Sequence, residues 1–89
     1  METERHEVSG VEFDVIKERI ESWRAFQLFK TVQQAEDNVV KIDAVMEIAC
    51  YITDMQLDEF IDRCGGVDVP ITKIIETAST LIAQAYPKN

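Results

Sequence analysis

The chain has 89 residues, enough for one small domain, and 46% of them are hydrophobic, which argues against intrinsic disorder. Its formal net charge is −8, and this sign disfavours direct binding to nucleic acid or to anionic membranes. No apolar run approaches the roughly 20 residues that a membrane-spanning helix requires. The charged N-terminus does not resemble a signal peptide. We therefore expect a cytoplasmic protein.

The N-terminal segment carries little helical signal. Residues 1–10 are polar and end in Ser9-Gly10, a composition typical of a disordered tail. Residues 11–20 begin with apolar and acidic residues in alternation, which predicts an extended arm that continues into a loop or a single turn. We therefore predict a disordered tail over residues 1–10 and a single helical domain over residues 11–89.

The first helix is predicted over residues 22–35. Its apolar residues share one half of a helical projection, and they are Ala25, Phe26, Leu28, Phe29, Val32 and Ala35. Ser22 is suited to the N-cap because its hydroxyl can accept a hydrogen bond from an early backbone N–H. Trp23 then lies in the first turn, outside the main apolar stripe.

The second and third helices are predicted over residues 39–52 and 54–64. The polar run Glu36-Asp37-Asn38 offers N-cap residues for the second helix. The apolar face of that helix is wide, which indicates a central helix packed on several sides. Thr53 and Gln56 have the spacing of a capping box, which would start the third helix.

The fourth helix is predicted over residues 70–86. Gly65-Gly66 ends the preceding helix because glycine tolerates a left-handed backbone, and Pro70 suits a first helical turn. The sequence therefore predicts an all-α fold: a small four-helix domain with an extended N-terminal arm.

No group of residues indicates catalysis. The one histidine, His6, lies in the predicted tail, so neither a triad nor a dyad can be assembled. The two cysteines lack C-x-x-C spacing, and no glycine-rich phosphate loop is present. We predict a protein that is not an enzyme, with no catalytic residue, no metal ligand and no cofactor.

An acidic face is predicted on the third helix. Asp54, Asp58 and Asp62 are four residues apart, and Glu59 lies beside them. Like charges at this spacing cost a few tenths of a kcal/mol per pair. A solvated surface explains the pattern most simply. The alternative is a contact with a basic protein, as in an acidic DNA mimic or an enzyme-blocking inhibitor of the anti-restriction or anti-defence type.

Aromatic residues cluster on the first helix, where Trp23, Phe26 and Phe29 occur within seven residues. Most such clusters belong to a core, but aromatic residues and arginine are also enriched where partners dock. The predicted protein interface therefore comprises Trp23, Arg24, Phe26 and Phe29, with Phe13 from the extended arm.

The order of these elements resembles a known family. Two runs, Phe13-Asp14-Val15 and Glu21 to Phe26, are followed by a polar gap and the apolar helix 39–52. After that helix come Leu57-Asp58-Glu59-Phe60, the run Gly65 to Pro70 and a terminal helix. This layout, over residues 11–89, is similar to that of the tail assembly chaperones of long-tailed bacteriophages and prophages.

The resemblance implies a role in assembly. Members of this family associate with one another and coat the tape measure protein, a long helical protein that is prone to aggregate. They keep it in solution, help to recruit the tail tube protein and leave before the tail is complete. The resemblance thus implies a tape measure protein and further copies of this chain as partners, with tail tube protein as a third.

Overall fold

The chain begins with a β-hairpin. The computed structural model describes residues 2–86, and in it the strands β1 (Thr3–Val8) and β2 (Val11–Ile16) form a two-stranded antiparallel sheet. Ser9 and Gly10 connect them with φ angles of 52° and 82°. Two successive positive φ angles are typical of the tight turn that matches the twist of a hairpin.

The hairpin corrects the predicted all-α fold class, because the described part of the chain has a mixed α/β fold. Most of the predicted disordered tail is β1, and most of the predicted arm is β2. The sequence signal of β1 was weak because Glu4 and His6 share the inward face with Val8, its one buried residue, so apolar and polar residues do not alternate along the strand. Arg5 and Asp14 are register partners, and Arg5 Nε donates to Asp14 Oδ1 at 3.1 Å.

Five helices follow the hairpin. They are α1 (Lys17–Ile20), α2 (Trp23–Gln34), α3 (Asn38–Thr53), α4 (Leu57–Arg63) and α5 (Ile71–Ala85). The four longer helices overlap the four predicted ones, and the largest shift is at the start of α4, which was predicted at residue 54. The single turn α1 lies inside the predicted extended arm.

Two of the predicted helix caps are present. Ser22 Oγ accepts a hydrogen bond from the backbone N–H of Ala25 at 3.2 Å, and Asp37 Oδ1 accepts one from Val39 at 2.8 Å. These bonds satisfy N–H groups that have no partner within the helix.

The predicted capping box at Thr53 is wrong. Thr53 still belongs to α3, where its hydroxyl donates to the carbonyl of Ala49 at 2.6 Å. Asp54 ends that helix in a left-handed conformation with φ 55°, which aspartate tolerates better than most residues. Gln56 is the N-cap of α4 and makes no side-chain capping bond.

The core lies between the hairpin, α3 and α5, with α4 closing one side. Its buried residues are Val8, Phe13, Val15, Ile48, Ala49, Ile52, Phe60, Cys64, Ile74, Ala78, Leu81, Ile82 and Ala85. The central position predicted for the second helix is confirmed, since α3 packs against α2, α4, α5 and β2. None of the helices described in residues 2–86 is long and apolar enough to cross a membrane.

Candidate protein-binding surfaces

Two large aromatic side chains are exposed on α2. Trp23 is 69% exposed and Phe26 is 56% exposed, and their ring centroids lie 5.2 Å apart. They are three residues apart and therefore neighbours on one side of the helix. We call these two residues the aromatic face. A core role is wrong for both of them, and their exposure fits the predicted interface.

The other members of the predicted interface are placed differently. Phe13 is buried and stacks on Phe60 with ring centroids 5.2 Å apart, so its prediction as an interface residue is wrong. Strand alternation turns it toward the core. The guanidinium of Arg24 lies 5.5 Å from the centre of the Tyr51 ring, within cation–π range. Arg24 thus contacts α3.

Phe29 lies half-buried at the centre of a groove between α2 and α5. Its ring meets the Tyr86 ring edge to face, with centroids 4.7 Å apart. On one side of this pair the groove has a volume of about 840 Å³ and is bordered by Ile20, Phe26 and Ala85 together with the polar residues Glu21, Ser22, Lys30, Gln33 and Gln34. On the other side it has about 470 Å³ and is bordered by Val32, Val45, Ile48, Ser79, Ile82 and Ala83. We call both parts together the α2–α5 groove.

Tyr86 borders this groove and carries a buried phenolic hydroxyl. The Tyr86 hydroxyl is buried and has no hydrogen-bond partner among residues 2–86. Burial raises the pKa of Tyr86 to about 12, because the charged form loses hydration. A buried polar atom without a partner costs free energy. The Tyr86 hydroxyl is therefore an interior polar group that slightly destabilises the fold.

A second apolar depression lies between α3, α4, α5 and the loop joining α4 to α5. Its volume is about 320 Å³, and it is lined by Ile42, Met46, Leu57, Ile61, Val67, Val69, Ile71, Ile74 and Ile75. We call it the aliphatic groove. Three of these side chains are markedly exposed: Leu57 by 49%, Val67 by 82% and Ile71 by 63%.

Sequence reasoning missed the aliphatic groove. The available signal was Val67, an apolar residue in a loop that also contains Gly65 and Gly66. Both glycines have positive φ, 122° and 99°, and this geometry turns the loop back beside α4. Because Val67 lies in a loop, neither helical nor strand periodicity indicates whether its side chain is buried. Its exposure could therefore not be predicted from the sequence pattern.

The predicted acidic face is only partly continuous. Asp58, Glu59 and Asp62 are exposed on α4. Asp54 lies outside this helix, and its Oδ1 accepts a hydrogen bond from Arg19 Nη1 at 3.1 Å. The four carboxylates therefore do not form one helical row. No cluster of three or more potential metal-binding side chains occurs in residues 2–86.

Charge is unevenly distributed between the two apolar surfaces. Within α2, Arg24 and Lys30 are the charged residues, so this helix is basic in a chain of net charge −8. Residues 57–69 carry Asp58, Glu59, Asp62 and Asp68 against one arginine. The aromatic face thus lies on a basic helix, and the segment that supplies Leu57, Ile61, Val67 and Val69 to the aliphatic groove is acidic.

The two cysteines and the histidine carry side chains that often serve in nucleophilic or acid–base chemistry. Cys64 is buried in the core and Cys50 is half-buried, both as free thiols. Burial is the main cause that raises the pKa of each thiol, which disfavours the reactive thiolate. His6 lies half-buried in β1 rather than in a tail, with Nε2 3.4 Å from a Glu4 carboxylate oxygen.

Comparison of the chain with models of protein families, with curated proteins and with solved structures found no match. The function is therefore inferred from the surfaces themselves. The described part of the chain exposes two largely apolar surfaces, the α2–α5 groove with the aromatic face beside it and the aliphatic groove.

Proposed function

We propose that this protein is a non-enzymatic tail assembly chaperone, which associates with its own copies and coats a tape measure protein in the cytoplasm of a bacterial host. The α2–α5 groove, open beside the exposed ring of Phe26, is the observation that carries the proposal. A groove between two helices with apolar walls is the usual receptor for the apolar stripe of a third helix.

The shape and composition of the groove support a helical partner. Its walls come from α2 and α5 with contributions from α1 and α3, and Phe29 with Tyr86 forms a ridge across it. A long helical protein presents apolar residues at every third or fourth position, and such a stripe can place side chains on both sides of the ridge. The exposed carboxylates elsewhere keep the resulting complex hydrated.

The geometry gives less support to the inhibitor alternative. A DNA mimic needs carboxylates that repeat over one face, whereas Asp54 is paired with Arg19 and lies off the row on α4. The exposed aromatic face on the basic helix α2 has no function in such a mimic. A contact dominated by charge would weaken steeply with added salt, and one dominated by apolar burial would not.

Co-expression with the tape measure protein of the same genome tests the proposal. The chain should increase the fraction of that protein that remains in the supernatant after centrifugation. The double variant S79E/A83E places carboxylates at the border of the α2–α5 groove and should abolish the effect. Ser79 and Ala83 are exposed, so the fold should persist.

The matched control is Thr80→Glu, an exposed residue of the same helix that does not border the groove. It should retain the wild-type effect. If S79E/A83E protects the tape measure protein as well as the control does, the α2–α5 groove is not the binding site. If the wild-type chain gives no protection, or the genome encodes no tape measure protein, the proposed function is wrong.

A further inference from the structure

The larger part of the α2–α5 groove runs along one side of α2. Several residues that border it recur at helical spacing on this helix and its N-cap, and they are Ser22, Phe26, Phe29, Lys30 and Gln33. Side chains three or four positions apart are neighbours on a helix surface, so this border follows the helix axis. A helix that enters the groove can therefore lie lengthwise beside α2.

Two charged residues border the groove, one just before α2 and one within it. Of the residues that line its two parts, Glu21 and Lys30 are the charged ones. Both are exposed, and within residues 2–86 neither takes part in an ion pair. Glu21 precedes the N-cap Ser22, and Lys30 lies eight positions after that cap, which corresponds to about 12 Å of helix rise.

An occupant that covers these two charges must pair with them. The rest of the border is apolar or uncharged, so a bound helix displaces water from Glu21 and Lys30 while the groove itself offers them no partner. An apolar residue opposite either charge leaves it unpaired, and a residue of like charge repels it. Such a penalty on the wrong partner contributes to specificity as much as a favourable contact with the right one.

We infer that Glu21 and Lys30 select the helix that the α2–α5 groove binds, which carries a basic and an acidic residue seven or eight positions apart beside its apolar stripe. Residues at this separation lie on nearly the same side of a helix, about 11–12 Å apart along its axis. The basic residue faces Glu21 and the acidic residue faces Lys30, so the pair also sets the direction of the bound helix. The inference rests on the proposed function and names the class of tape measure segment that the groove accepts.

Three helical peptides that differ at two positions test this selection. Each has about 18 residues, or five helical turns, with leucine at every third or fourth position among alanine and glutamine. At two positions eight residues apart they carry one lysine and one glutamate, two lysines, or two glutamates. Fluorescence anisotropy of the labelled peptides measures their dissociation constants for the full chain. The wild type should bind the mixed peptide at least about threefold more tightly than either of the others, because one ion pair is replaced by a repulsion.

Single charge reversals in the groove should change the preferred peptide. Lys30→Glu leaves two acidic residues and should favour the two-lysine peptide, whereas Glu21→Lys leaves two basic residues and should favour the two-glutamate peptide. The matched controls are Lys73→Glu and Glu76→Lys, which change the net charge equally at exposed residues of α5 outside the groove. Both controls should keep the wild-type order of preference. All four changes are at exposed positions, so far-UV circular dichroism should match the wild type.

Three results would overturn the inference. They are equal binding of the three peptides by the wild type, an unchanged preference in both groove variants, and binding of none of the peptides. Protection of the tape measure protein is measured separately, so this selection can fail while the proposed function stands. If protection fails while the peptides bind as expected, the groove is a receptor for helices of this class and the proposed function is wrong.

Discussion

Phe29 and Tyr86 join α2 to the end of α5 through an edge-to-face contact with ring centroids 4.7 Å apart. Because α2 otherwise packs mainly along α3, this pair is a principal contact across the α2–α5 groove. It also positions the Tyr86 hydroxyl where it is buried without a partner among residues 2–86.

The first prediction concerns pH. The folded-state pKa of Tyr86 is raised to about 12 from 10.0, so folding favours the protonated phenol. This contribution to stability is fully present below about pH 10 and is lost as the pH rises toward 12. Urea unfolding should therefore show that the free energy of unfolding declines between pH 8 and pH 11.5. This decline should be shallower in Tyr86→Phe than in the wild type. At pH 8 the variant should be as stable as the wild type or slightly more so, because it lacks the unsatisfied hydroxyl.

Removal of the α2 N-cap should destabilise the protein modestly. Ser22 Oγ accepts from the Ala25 N–H and donates to the Arg19 carbonyl at 2.8 Å, so Ser22→Ala should lower the free energy of unfolding by about 1 kcal/mol. The control is Thr31→Ala, since the Thr31 hydroxyl only bonds back to the Gln27 carbonyl within the same helix. It should be neutral or slightly stabilising in urea unfolding. Equal effects of the two variants would contradict the capping role.

The two glycines after α4 should differ in their tolerance of a side chain. A Cβ at Gly65 would lie 2.9 Å from Val69 Cγ1, whereas nothing lies within 4 Å of one at Gly66. Both residues have positive φ, so alanine is strained at either position, by about 1–3 kcal/mol. Thermal denaturation should show a larger decrease in melting temperature for Gly65→Ala than for Gly66→Ala. The reverse order would contradict the close approach of Val69.

Loss of the Phe60 ring should be the most damaging of these changes. Phe60 is buried and stacks on Phe13, and truncation of a buried phenylalanine to alanine costs about 3–5 kcal/mol. Domains of this size have a total stability of only about 4–13 kcal/mol. Phe60→Ala should therefore lose about 3–5 kcal/mol of stability, with a strongly lowered midpoint in urea followed by circular dichroism, and Phe60→Leu should lose less. An unchanged midpoint for Phe60→Ala would contradict the position of Phe60 in the core.

The helices could be predicted from the sequence because each depends mainly on local signals. Ser22 and Asp37 supply caps, Gly65-Gly66 ends α4, and apolar residues recur at helical spacing in the longer helices. The hairpin could not be predicted in the same way. Within β1, Val8 is the one buried residue, so the strand depends on pairing with β2 and on packing against α5, which is distant in sequence.

The candidate surfaces were predictable only in part. The aromatic residues of α2 were recognised, and helical projection placed Trp23 outside the apolar stripe, but it did not separate the exposed Phe26 from the half-buried Phe29. The aliphatic groove depends on α4 and α5 being brought together by the glycine turn, and no local pattern encodes that arrangement. Exposure of an apolar residue is a property of the tertiary fold, and it becomes visible only when the neighbouring elements are placed.

The contact of β1 with α5 constrains the order in which the molecule can form. Gln84 Nε2 donates to the carbonyl of Glu7 at 3.2 Å, across 77 positions of the chain, and Val8 shares its core cluster with Ala85. During synthesis the first strand emerges long before the helix that covers it. Stable folding of the β1–β2 hairpin must therefore wait until α5 has left the ribosome.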